Sequence, residues 1–296
     1  MGMIDFSKQI IAIVGAGKVG TALALLLGKK GYPVSGVVVG SKHPDERLVK
    51  ELQTVVTRCP EEVTIKADVV FITTPDRLIA TVTKEICAKG GFRAGQIVLH
   101  ASGSQSADDL GAAREFGASV ASIHPLQSFA HVDVAIEHLP GSYFALEGDE
   151  PALKVAEQIV GDLNGFWFAI AGKDKPLYHA AACIASNYLV SLMHFATGLY
   201  QHFGLSRKEA FGALLPLIQG TINNMQQLTT TNALTGPIAR GDDQTVARHL
   251  AVLADVGEQE RELYRVMARY TTLVALEKGS INQEQAAKLE ELCKVD

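Results

Sequence analysis

Apolar positions in the first half of the chain fall into short unbroken runs, each followed by a longer stretch with helical spacing. Ile10–Val14, Val34–Val39, Ala67–Thr73, Gln96–His100 and Ser119–Ile123 are rich in β-branched residues and show no polar alternation. That is the pattern of strands buried on both faces. Between them, Thr21–Lys30, Arg77–Ala88 and Ser106–Phe116 repeat apolar residues with a helical period. The alternation predicts a parallel sheet with helices on both faces. Two further runs, Tyr143–Glu147 and Phe166–Ile170, extend the sheet, with a helix over Pro151–Leu163 between them. From Lys173 onward the spacing is helical throughout. Helices are predicted over Lys175–Phe203, from Ser206, over Asp243–Val256 and Glu258–Lys278, and from Asn282. Ser206 with Glu209 forms a capping box, Pro216 should kink its helix, and the polar stretch Thr229–Asp242 reads as a loop.

The first strand runs into Gly15-Ala16-Gly17-Lys18-Val19-Gly20, and a helix follows at once. Strand, glycine turn and helix in this order form a dinucleotide-binding unit. Gly15 permits the tight turn, Gly17 lets the backbone approach a pyrophosphate, and Gly20 lets the helix pack on the strand. The helix N-terminus offers free N–H groups and the positive end of its dipole. The second strand ends in Gly40-Ser41-Lys42-His43, with no carboxylate before Asp45 to accept from a ribose 2′-OH. Ser41, Lys42 and Arg47 suit a 2′-phosphate, so NADP(H) is the expected cofactor. The fold class is therefore α/β: an N-terminal Rossmann doubly wound parallel sheet over 1–172, then an all-α C-terminal substrate and dimerisation domain over 173–296. The substrate is expected at the cleft between these halves.

Composition narrows the picture. A formal net charge of -5 leaves no electrostatic footprint for nucleic acid or an anionic membrane surface. The four cysteines are scattered without metal-ligand spacing, as in a reducing compartment, and the N-terminus has no signal architecture. A cytoplasmic protein is expected. Pro176–Ser206 contains no Asp, Glu, Lys or Arg, but its His, Ser, Asn and Gln residues argue against a lipid span. It reads as a buried core or interface helix, which makes a homodimer the expected state.

Candidate chemistry clusters at strand ends, where ligands bind in such sheets. Thr73-Thr74-Pro75-Asp76 would lie along the cofactor, with Thr74 and Pro75 touching it and Asp76 also able to cap the next helix. Ser102, in His100-Ala-Ser-Gly-Ser104, either orients substrate or caps a turn. His124, followed by Pro125, is aimed outward and has an ordinary pKa suited to proton transfer. His179, Cys183, Ser186 and Asn187 share one helix face among alanines; His179 and Asn187 are the functional candidates and Cys183 is read as packing. Thr235 and Arg240, in a glycine-bounded loop, are weaker candidates for holding a carboxylate.

GAGKVG at Gly15–Gly20, HPLQSF at His124–Phe129, YHAAACIASNYLV at Tyr178–Val190 and LTGPIARGD at Leu234–Asp242 together carry a resemblance. Over nearly its full length the chain resembles Rossmann-like oxidoreductases with a helical C-terminal domain of unknown function. These are similar in architecture to pyrroline-5-carboxylate reductase and the β-hydroxyacid dehydrogenases, whose C-terminal domains are of the 6-phosphogluconate dehydrogenase type. The resemblance implies a helical dimerisation domain, and the HP motif is similar to that of prephenate dehydrogenase, which places His124 in an active site. β-Hydroxyacid dehydrogenases carry a catalytic lysine four residues before an asparagine; here Cys183 stands four residues before Asn187. A thiol does not replace an ammonium as proton donor. The expected function is hydride transfer between NADP(H) and a small carbonyl, imine or hydroxy-acid substrate, with His179 and His124 relaying protons and Ser102 and Asn187 orienting substrate. Alternatives are an imine reductase of the pyrroline-5-carboxylate type and a non-catalytic NADP-binding sensor.

Overall fold

The computed structural model describes residues 9–40 and 44–294. The element order is β1 (Ile11–Val14), α1 (Lys18–Lys29), β2 (Val34–Val38), α2 (Arg47–Lys50), β3 (Val56–Thr57), α3 (Pro60–Thr64), β4 (Val69–Ile72), α4 (Ile79–Ala88), β5 (Ile97–His100), α5 (Gly111–Arg114), β6 (Ser119–Pro125), α6 (Val132–His138), β7 (Tyr143–Gly148), α7 (Glu150–Asp162), β8 (Phe166–Ala169) and α8 (Lys175–Cys183). Then follow α9 (Leu189–Leu199), α10 (Arg207–Leu228), α11 (Asp243–Ala254), α12 (Glu258–Lys278) and α13 (Gln283–Leu292). The short elements α2, β3, α3 and α6 have no counterpart in the sequence reading. They are too brief or too polar to show a period.

The eight strands form one sheet in the order β3-β2-β1-β4-β5-β6-β7-β8. β1 to β6 are parallel, as the alternation predicts. β7 pairs antiparallel with β6, and β8 parallel with β7, so the last two strands run the other way. Side chains alternate across the sheet into two cores. Ile11, Ile13, Val37, Phe71 and Leu99 pack with α1 and α7 on one face. Ala12, Val14, Val70, Ile72 and Val98 pack with α4 on the other. Burial on both sides explains why these strands read as unbroken apolar runs.

Contacts divide the chain into two compact units, one ending at Tyr188 and the other beginning at Leu189. The second unit has its own core, with Val246, Leu250, Ala268, Ala275 and Leu289 buried between α11, α12 and α13. Its caps follow the sequence. Ser206 Oγ accepts from Glu209 N–H while Glu209 accepts from Ser206 N–H, and Asn282 and Gln285 do the same for α13. α10 continues through Pro216 as one element.

Helical backbone over Gly172–Phe203 is long and apolar enough to cross a membrane by length and composition alone. It does not form a buried core helix. Leu177, Ile184, Val190 and Phe203 are each at least 60% exposed. The residues Ile184–Tyr188 form a π-helical turn, which shifts the phase of the helix face midway.

Candidate functional site

At the nucleotide turn, each glycine is explained by what surrounds it. Gly15 has φ +113, and a Cβ there would lie 2.8 Å from the Thr73 and Thr74 backbone. At Gly20 a Cβ would meet Gly15 O at 2.1 Å, so close packing of helix on strand requires glycine. At Gly17 nothing lies within 4 Å of that position. The turn is pinned by Gly15 and Ala16 N–H donating to Val38 O, and by Thr73 Oγ1 donating to Gly15 O at 2.7 Å. Gly17 caps α1 without a side-chain acceptor, and the first turn, containing Lys18 and the half-buried Val19, has no acidic residue. Those N–H groups lack the side-chain cap that usually serves them. Beside them, Thr74 Oγ1 is buried without a hydrogen-bond partner. An open backbone, an uncapped helix N-terminus and an orphaned hydroxyl fit the phosphates of a dinucleotide.

The neighbouring segments differ from expectation in part. Ser41 and Lys42 lie outside the described residues. Arg47 is committed elsewhere, pairing at 2.6 Å with both Asp45 and Asp133. Asp76 does not cap the helix that follows Pro75; it accepts from Ser104 Oγ at 3.0 Å and ties the β4 loop to the β5 loop. Arg240 ends a short 3-10 turn that follows Thr235, and the next helix, α11, is capped by Asp242 through Thr245 N–H.

The β5 loop is a network of its own. His100 is buried, its Nδ1 accepting from Ser102 N–H at 3.1 Å and its Nε2 facing Ser106 O at 3.0 Å. This fixes a neutral ring with the proton on Nε2. Burial, aided by Lys175, pushes its pKa down to about 4. Ser102 is 5% exposed, and its hydroxyl accepts from Ser104 and Gln105 N–H. The structure thus places that hydroxyl in the turn. Gly103 lies under two imidazoles: a Cβ would come within 2.6 Å of His179 Nδ1 and 2.8 Å of His124 Nε2.

His124 sits near the end of β6, opposite Ala145 of β7, which in turn pairs with Phe168 of β8. Its Nδ1 is 2.7 Å from Tyr178 Oη, and its ring meets those of Tyr178 and His179 edge-on at 5.6 and 6.0 Å. Phe168 packs edge-on against Tyr178 from the other side. Burial pushes the His124 pKa down to about 4, with Lys175 and His179 adding to the effect. His124 is therefore neutral near pH 7, below the ordinary histidine pKa expected for it from the sequence. Burial also raises Tyr178 to about 12. His179 Nδ1 is buried without a hydrogen-bond partner.

These rings open onto a cleft of about 650 Å³ lined by the HPLQSF segment on one side and by α8 with its π-turn on the other. His179, Cys183, Ser186 and Asn187 all reach it, so Cys183 is a wall residue rather than core packing. The cleft lies wholly within the first unit.

Besides Tyr178, sequence reasoning missed Lys175. It is 0% exposed, and its Nζ donates to Ser102 O at 2.9 Å and to Ser122 Oγ. Burial lowers its pKa to about 8 against the pull of Glu147 and Asp76. Its one sequence signal is helical phase: Lys175 lies four residues before His179, on the same face.

Residues 2–125 match a Rossmann-like domain family, and residues 142–271 match the family described as a domain of unknown function (DUF2520). The chain carries a Rossmann-like domain followed by a DUF2520 domain. The DUF2520 match begins just before β7, so it takes in the two reversed strands as well as helices. Among solved structures, a Thermotoga maritima protein is 27% identical with a TM-score of 0.72, covering 91% of this chain and 99% of its own. A Bacteroides fragilis protein provisionally named an NADP oxidoreductase is 22% identical with a TM-score of 0.68, covering 91% and 100%. The 1-pyrroline-5-carboxylate reductase of Streptococcus pyogenes is 16% identical with a TM-score of 0.60, covering 96% and 99%. These last two likenesses show the fold. A comparison with curated proteins finds no match.

Proposed function

We propose that this DUF2520 protein is an NADP(H)-dependent oxidoreductase acting on a small carbonyl, imine or hydroxy-acid compound. The observation that carries the reading is the uncapped N-terminus of α1 over the open Gly17, in the same unit as the His124–Tyr178 cleft. Gly15, Ala16, Gly17, Lys18, Val19 and Gly20 would hold the pyrophosphate, with Thr74 and Pro75 alongside and Ser41 and Lys42 on the 2′-phosphate. The bound nicotinamide would supply or accept the hydride.

The chain itself has to manage the proton. With its own proton on Nδ1, His124 donates to Tyr178 Oη and leaves the phenol hydrogen for the substrate oxygen or nitrogen. A phenol raised to about 12 is a weak acid, suited to the strongly basic atom that hydride addition creates. His179, Ser186 and Asn187 border the cleft where they can orient the substrate. The Streptococcus relative, a 1-pyrroline-5-carboxylate reductase, supports the imine form of this chemistry.

The test is a fluorescence titration with NADPH and, separately, NADH. NADPH is expected to bind at least about tenfold more tightly. Preference for NADH would remove the 2′-phosphate assignment, and binding of neither would remove the oxidoreductase reading. Tight NADPH binding with no turnover across carbonyl and imine compounds would favour the sensor alternative.

A homodimer belongs to the same proposal. In the second unit Val190, Phe203, Leu217 and Tyr270 are each at least 66% exposed. Apolar surface on this scale marks an association face.

A further inference from the structure

Among the described residues, no Asp, Glu, Lys or Arg lines the cleft. Its polar groups are the rings of His124, Tyr178 and His179 together with Gln127, Ser128, Ser186 and Asn187. The rest of the wall is Leu126, Phe129, Phe168, the thiol of Cys183 and the alanines of the helix. His124 is uncharged near neutral pH. The nearby cation, Lys175, is fully buried behind the wall and already donates to Ser102 O and Ser122 Oγ. A substrate carboxylate entering here would lose its water and meet no lysine or arginine in the wall, a costly exchange. A carbonyl or imine needs only a neutral donor, which Tyr178 supplies, and an apolar substituent finds Phe129 and Phe168.

We propose that the cleft takes a substrate with no ionised carboxylate: an uncharged ketone, aldehyde or imine bearing an apolar or aromatic group. This rests on the oxidoreductase reading above and narrows it, setting aside hydroxy acids and pyrroline carboxylates. In the reduction, the C=O or C=N carbon gains a hydride as the π bond opens. Its oxygen or nitrogen takes the Tyr178 proton, solvent restores that proton, and NADPH is oxidised to NADP⁺.

Two matched pairs test the proposal: phenylacetone against phenylpyruvate, and 2-methyl-1-pyrroline against 1-pyrroline-2-carboxylate, each followed by NADPH oxidation. The member of each pair without a carboxylate is expected to show a kcat/KM at least about tenfold higher. Gln127→Arg, which brings a cation to the rim, should narrow or reverse that ratio. A preference for the carboxylate members in the unaltered protein overturns the proposal. If neither pair is turned over, saturation-transfer NMR of the cofactor-free protein separates this inference from the oxidoreductase reading. Transfer to phenylacetone that Ser186→Trp abolishes would uphold the neutral cleft while the redox reading fails. Transfer to phenylpyruvate alone, or to neither compound, would overturn the neutral cleft as well.

Discussion

A lysine ammonium whose hydrogen-bond partners are both neutral is costly to bury, and Lys175 is placed in that way. Its folded pKa of about 8 lies below the roughly 10.4 of an unfolded lysine. Between those values the unfolded chain binds more protons, so this residue makes stability rise with pH across that window. Below about 8 it is charged in both states, and the burial penalty is felt in full. Lys175→Met should therefore stabilise the protein at pH 7, by about 1–3 kcal/mol, and flatten the pH dependence above 8. Ser122 Oγ already donates to Ser102 O at 3.2 Å, so neither group is left without a partner. Urea unfolding at pH 7 and pH 9.5 checks both effects; a large loss of stability at pH 7 would refute this account. Of the candidate site residues, Gly15 and Gly20 were legible because the turn and the packing that require them are local. Tyr178 and Lys175 were not, because their partners lie 54 and 73 residues away in sequence.

Elements show the same division. The strands were readable because burial on two faces leaves a continuous apolar run. The reversal of β7 was not, since strand direction leaves no mark on composition. The helix face carrying His179 and Asn187 was read at 3.6 residues per turn, but the π-turn at Ile184–Tyr188 breaks that period just where the cleft wall forms. Such interruptions recur at functional sites. The β5 loop has an equally specific requirement. Gly103→Ala would drive a methyl into His124 and His179, which cannot both retreat while Tyr178 holds His124. Expected results are a loss of about 1–3 kcal/mol in stability and lost turnover, with NADPH affinity retained. Unchanged turnover would show that the ring arrangement is not needed.

For the whole molecule, the proposed homodimer is the prediction that matters most. Light scattering on the purified protein should give twice the chain's mass, and Leu217→Glu together with Val190→Glu should return it to a monomer. A monomer at micromolar concentration before any substitution would rule the dimer out. The uncharged run Pro176–Ser206 was legible as unusual; of its two readings, core helix or interface helix, the core one fails, because a single chain does not cover it. The cleft and the nucleotide turn draw on different stretches of the chain. Among the described residues, the cleft is lined only by the stretch from His124 to Asn187, whereas the turn and the loop beside it end by Pro75. Mutation can therefore reshape what the cleft accepts while leaving the turn intact, and exchange of the 124–187 segment with a relative would transplant one without the other. Ser102, Gly103 and Ser122 belong to the seam such an exchange would have to match, for they touch His124, His179 and Lys175 from outside that segment.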